Sequence, residues 1–116
     1  MTFFPSKRLK ATKRSSRWRS PAHCNHVRAH DCSIPGCASG EPIEVAHVRI
    51  GSGAGMGQKP DDFRGVSLCR ECHQRQHNIG EQTFWAGRDV EALIAGFIRT
   101  SPKKQEIERV RREREA

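Results

Sequence analysis

Four cysteines in two close pairs, Cys32-x4-Cys37 and Cys69-x2-Cys72, carry the clearest chemistry in this chain. Zinc takes four soft ligands in a tetrahedron, and a short spacing lets one turn supply two of them. Cys69 and Cys72 have the spacing common in zinc sites, while Cys32 and Cys37 make a looser turn around Pro35-Gly36. One structural zinc on Cys32, Cys37, Cys69 and Cys72 is therefore expected, against a disulfide or buried-thiol alternative. Three histidines accompany the pairs. His73 and His77 stand four residues apart among good helix formers, so they share a helix face and can ligate one ion. His47 brings an imidazole that titrates near neutral pH, suited to proton transfer or to metal ligation.

The elements that must position these groups can be read from the pattern around them. Ile43 to Ile50 is rich in β-branched residues and bounded by Pro42 and Gly51, which predicts a strand. Ile43, Val45, His47 and Arg49 then share one face, two apolar groups leading to a histidine and an arginine. Gly51 to Asp62 reads as a loop, either a plain connector or a backbone that lets a phosphate chain approach. It is not a Walker A loop, because Gln58 follows Gly57 and Pro60 follows Lys59. Gly65 to Leu68 suits a second short strand, and the helix of His73 and His77 should end at Asn78 or Gly80. Thr83 to Ala86 predicts a helical turn closed by Gly87. Asp89 caps the next helix, whose stripe of Val90, Leu93, Ile94, Phe97 and Ile98 is scaffold.

Residues 22–31 read as a lead-in to the first cysteine pair. There Cys24 is a spare thiol, and His23, His26 and His30 are surface or nucleic-acid-facing. The stretch before them is basic throughout, from Lys7 and Arg8 to Arg17 and Arg19 with no acid, so it should be disordered when free. Trp18 within it can stack on a base or dock the segment onto the domain. The expected organisation is a basic flexible tail (1–21), a domain (22–101) and a charged, helix-capable C-terminal tail (102–116). Ile107 and Val110 can dock that last tail weakly.

Composition sets the outer bounds. At 116 residues and 34% apolar content the chain holds one domain with a thin core, the case in which a metal staple helps. The net charge of +8 and pI near 9.9 favour a polyanionic partner, nucleic acid first. No run of about 18 apolar residues exists, so no membrane span is expected. An odd number of cysteines and the lack of an apolar leader before the first charges suit a reducing, cytoplasmic setting.

The fragment Leu68-Cys69-Arg70-Glu71-Cys72-His73-Gln74-Arg75-Gln76-His77 resembles the helix half of the His-Asn-His (HNH) endonucleases. Their ββα-metal site is often braced by a four-cysteine zinc. Ala46-His47-Val48-Arg49, the glycine loop, Pro60-Asp61-Asp62-Phe63 and Val66-Ser67-Leu68 extend the likeness over roughly residues 28 to 86. The same combination resembles small prophage-encoded nucleases and the nuclease domain of the phage P1 recombination enhancement protein. The resemblance implies an α+β fold, a small zinc-stabilised, treble-clef-like ββα-metal domain with extra C-terminal helices.

It also implies roles. His47 is the general base, and His73 and His77 hold a catalytic Mg2+ or other divalent ion, with structural Zn2+ elsewhere. Many members place an acid or histidine before the base, where this chain has Ala46, and their asparagine position falls on Arg64. Asp62 is the substitute ligand, with Asp61 and Glu44 as alternatives, and His47 fits either base or ligand. Arg49, Arg64, Lys59, Arg17 and Arg19 are the nucleic-acid-binding candidates. The implied activity is hydrolysis of DNA phosphodiesters to 5′-phosphate and 3′-hydroxyl ends, in phage recombination or processing. A non-catalytic, zinc-containing nucleic-acid-binding module is the alternative. Substrate form, sequence preference and oligomeric state are not encoded in any motif.

Overall fold

The computed structural model describes residues 17–54 and 59–115. The basic run before Arg17 and the glycines at 55 and 57 lie outside them, as do the expectations attached to those residues. Helix α1 (Pro21–Arg28) opens the described chain, followed by strand β1 (Ile43–His47), a 3-10 turn (Asp62–Arg64) and strand β2 (Gly65–Cys69). Helices α2 (Arg70–Ile79), α3 (Glu81–Phe84), α4 (Val90–Arg99) and α5 (Lys104–Glu115) complete it. The result is a small α+β fold.

β1 and β2 pair antiparallel, with Ile43 opposite Cys69 and His47 opposite Gly65. Gly65 answers a close approach: a Cβ there would fall 2.5 Å from Val45 Cγ1. α2 follows β2 without a linker, because Cys69 ends the strand and caps the helix, its Sγ accepting from the Cys72 amide at 3.4 Å. Gly80, at φ 89°, stops α2. This β-loop-β-α unit places His47 on a strand and His73 and His77 on the helix beside it.

Two helices lie where the sequence pattern was silent or weak. Ser20 accepts from the His23 amide and Pro21 occupies the first helical turn, so α1 begins on a standard Ser-Pro start. At the other end, the charged segment expected to dock weakly is the helix α5, and its Ile107 is fully buried. Trp18 supplies the facing contact. Its indole Nε1 donates to Glu106 at 2.7 Å and its ring lies 5.8 Å from that of Phe63. Of the two expectations for Trp18, docking is the one observed. Arg114 of α5 reaches Asp61 at 2.6 Å, where Arg17 also bonds at 3.3 Å, so both ends of the described chain meet on one buried carboxylate.

The core gathers Val27, Ala46, Val48, Phe63, Val66, Leu68, Phe84, Trp85 and Ile107 with the α4 stripe of Val90, Ile94, Phe97 and Ile98. Each of the valine, leucine, isoleucine and phenylalanine side chains among them contributes about 1.5–3 kcal/mol of burial. Asp89 caps α4 by accepting from the Ala92 amide. Trp85 Nε1 donates to the buried Gln76 amide oxygen at 2.8 Å, fixing α3 to α2.

Candidate active-site cleft and cysteine metal centre

The four paired cysteines converge. Cys32, Cys37, Cys69 and Cys72 have sulfurs that all lie within 4.8 Å of one another, and none is in a disulfide. Cys37 Sγ is 3.7 Å from both Cys69 Sγ and Cys72 Sγ. A tetrahedral zinc with bonds near 2.3 Å separates its sulfurs by about 3.8 Å, whereas a disulfide needs about 2.05 Å. The cluster is positioned to bind a metal such as zinc. It joins the loop after α1 to the β2–α2 junction, and the Ser33 amide donating to Ser67 O at 2.8 Å seats that loop against β2.

A cleft of about 860 Å³ opens beside β1. Ile43, Val45 and His47 line it from the strand and Arg49 from just beyond it, His73 and His77 from α2, and Pro21, Cys24 and Arg28 from one face of α1. Arg19, Lys59 and Asp62 close it. The three histidines singled out in the sequence therefore share one basic cavity.

Two of them are each oriented by a carboxylate. His47 Nε2–H donates to Asp62 Oδ1 at 2.9 Å, which leaves Nδ1 as the ring's acceptor. Burial lowers the His47 pKa below its ordinary value, and the Asp62 hydrogen bond only partly offsets that, so the ring is neutral at neutral pH. Burial pushes Asp62 the other way. The hydrogen bonds from His47 and from the Ser20 amide (2.7 Å) outweigh it and hold Asp62 below the usual carboxylate range. On α2, His73 Nδ1–H donates to Glu44 Oε1 at 2.8 Å, leaving Nε2 as a potential ligand atom. The same hydrogen bond lowers the Glu44 pKa. The His73 and His77 rings lie 4.8 Å apart, one turn along the helix.

Several expectations need correction. Asp62 is directed at His47, and the groups of three or more close ligand atoms among the described residues join it to Cys24 and His47, not to His73 and His77. Cys24 is thus no stray thiol: it stands beside the His47–Asp62 pair, with burial and then Asp62 raising its pKa to about 11. Arg64 does not line the cleft. Its guanidinium makes paired bonds of 2.7 and 2.8 Å to Glu91 and another of 2.6 Å to Ile50 O, so it ties the segment after β1 to α4. His23 is fully buried rather than at the surface, with Nδ1 on Ser101 Oγ at 2.8 Å, and burial lowers its pKa to about 4.

The other basic candidates divide. Arg17 is engaged with Asp61 and with Gly53 O, while Arg19 bonds the Pro60 carbonyl at 2.6 Å and still borders the cleft. Arg49 and Lys59 also border it. Arg28 escaped the sequence reading, and Cys24 was set aside there as a spare thiol, because α1 was not foreseen. Its Ser20-Pro21 start was the available signal, and the i, i+4 spacing of the two residues would then have put them on one face.

With this geometry in hand, the chain's relatives can be placed. Residues 5–88 match the family described as "Protein of unknown function (DUF968)", and the chain belongs to that family. It is similar to the protein named "Putative nuclease YbcO" of Escherichia coli (strain K12), 32% identical over 80 residues, 64% of this chain and 80% of the relative. The protein named "Putative nuclease ybcO" of Enterobacteria phage 82 gives the same identity, 32% over 80 residues, and the same coverage. No solved structure matches the chain. Among the described residues no helix is long and apolar enough to cross a membrane.

Proposed function

We propose that this protein is a metal-dependent endonuclease of the His-Asn-His type that hydrolyses DNA phosphodiester bonds. A role in phage recombination or DNA processing is part of this reading; its support from the relatives is that both are named "Putative nuclease" and one comes from Enterobacteria phage 82. The observation that carries the reading is the cleft that holds His47, paired to Asp62, opposite His73 and His77 on the adjoining helix.

Asp62 keeps the proton on His47 Nε2, so the Nδ1 lone pair is the base that takes a proton from the attacking water. Glu44 does the same for His73, aiming the Nε2 lone pair outward, the arrangement in which a metal-ligating histidine is commonly held. The donor type therefore fits a divalent ion on His73 and His77. Such an ion, when bound, polarises the phosphate and stabilises the leaving 3′ oxygen. Arg49 and Lys59 balance the charge of the phosphate backbone at the rim. Cys32, Cys37, Cys69 and Cys72 hold a structural zinc that fixes the start of α2, and with it His73. Five cysteines free of disulfides accord with work in the cytoplasm.

Cleavage of plasmid DNA with added Mg2+ or Mn2+, compared between the native chain and His47→Ala, tests this. One observation favours a second reading, a non-catalytic zinc module that binds DNA. Arg64, at the family's asparagine position, is held by Glu91 and cannot ligate a cation. A folded, zinc-loaded protein that binds DNA and cuts it under no divalent ion selects that reading.

A further inference from the structure

Cys24, His47 and Asp62 come from three separate elements, α1, β1 and the 3-10 turn, yet their ligand atoms lie within 4.8 Å of one another. We propose that they form a second metal site, selective for a soft divalent ion of the zinc class and distinct from both the four-cysteine cluster and His73/His77. One thiolate, one imidazole and one carboxylate leave a fourth position open, the ligand count of an exchangeable rather than a closed zinc site. All three residues line the open cleft, so an ion can enter from solvent.

The site is braced. The Ser20 amide holds Asp62 Oδ2 at 2.7 Å, and the Ser20 hydroxyl caps the helix that carries Cys24. One residue thereby fixes both the carboxylate and the thiol, while Asp62 Oδ1 is left facing His47. Tetrahedral bonds of 2.0–2.3 Å separate ligand atoms by about 3.3–3.8 Å. The His47–Asp62 contact of 2.9 Å therefore widens by roughly half an ångström when the shared proton is exchanged for an ion.

Charge decides which ion. Arg19 lies 3.7 Å from Asp62 Oδ1, and Lys59 borders the same cleft, so a carboxylate alone holds a cation poorly here. A thiolate with a carboxylate supplies two negative charges and offsets a divalent ion. Mg2+ takes oxygen ligands and leaves the sulfur unused, whereas Zn2+, Co2+ and Cd2+ accept it. Cys24 is thus the selecting residue. Because the site captures His47, a soft ion there also removes the base, and zinc becomes an inhibitor of cleavage; this consequence rests on the proposed nuclease reading.

Cobalt titration tests the site directly. The full chain, its first metal equivalent already bound, is titrated with Co2+ and followed by the sulfur-to-cobalt charge-transfer band. The expected result is an additional equivalent carrying a single-thiolate band. That equivalent loses its sulfur band in Cys24→Ser, binds at least tenfold more weakly in Asp62→Asn, and is retained in His73→Ala/His77→Ala. The absence of a single-thiolate equivalent in the native chain, or a band that persists in Cys24→Ser, overturns the proposal. Circular dichroism of each variant shows whether the fold is intact, and Cys24→Ala replaces Cys24→Ser if the latter is not. In a parallel assay, added Zn2+ suppresses Mn2+-supported cleavage in the native chain and does so less in Cys24→Ser, each measured against its own zinc-free rate. An absence of cleavage in that assay counts against the nuclease reading, and the cobalt result decides the metal site independently.

Discussion

The Asp62 carboxylate accepts both the Ser20 amide and the His47 ring, at 2.7 and 2.9 Å, and so sets the strand histidine against the first helix. His47 thereby keeps a fixed tautomer in a partly dry cleft. The carboxylate that sequence reasoning assigned to the helix histidines instead serves the proposed base.

Asp62→Asn removes the negative charge that raises the His47 pKa against burial. The pKa of His47 should fall further, and a base works above its pKa, so the acidic limb of the rate profile should move to lower pH. The rate at the plateau should drop by about 10- to 100-fold through lost orientation. A profile measured between pH 5 and 9 checks this, and an unmoved acidic limb argues against the pairing.

His23 predicts a pH-dependent stability. Its folded pKa of about 4 lies below the ordinary histidine value of 6.5, so the unfolded chain binds the extra proton between these values. Stability from the neutral ring is fully present above pH 6.5 and is lost as pH falls toward 4, by about 3 kcal/mol in all. Denaturant melts of the native chain and His23→Gln, compared at pH 7 and pH 4.5, should show a smaller acid loss in the variant.

Metal removal should unfold the β2–α2 junction, because Cys69 is at once strand end, helix cap and cluster member. Strong chelation, or Cys69→Ser, is expected to release one zinc per chain and to abolish the cooperative thermal transition. Elemental analysis with circular dichroism gives both readouts.

Ile107→Ala should cost about 2–5 kcal/mol, the range for emptying a fully buried site. A helix docked only weakly would lose far less. Urea denaturation distinguishes the two, and a loss under about 0.5 kcal/mol, the scale of an ordinary surface change, would mean α5 is peripheral.

Local signals carried the hairpin-helix core well. The cysteine pairs and the His73/His77 spacing act within one or two turns, where periodicity and ligand geometry are visible in the chain itself. The Asp89 cap and the α4 stripe were legible for the same reason. What escaped depends on contacts between distant residues. Trp18 meets Glu106, Arg64 meets Glu91, and Asp62 meets His47 only after the fold has formed. Arg64 looked like a phosphate ligand because its charge is evident in sequence, while its partner on α4 is not. Cys24 looked spare because the count of four sulfurs was already complete, and nothing local pointed it toward a histidine and an aspartate.

The most direct measurement of the central claim is cleavage of supercoiled plasmid by the zinc-loaded native chain and by His47→Ala, across Mg2+ and Mn2+. The account predicts nicked or linear product from the native chain, and a rate at least about 100-fold lower from a folded, DNA-binding His47→Ala protein. Equal cleavage by both proteins, or none by a native chain that binds DNA, would contradict it.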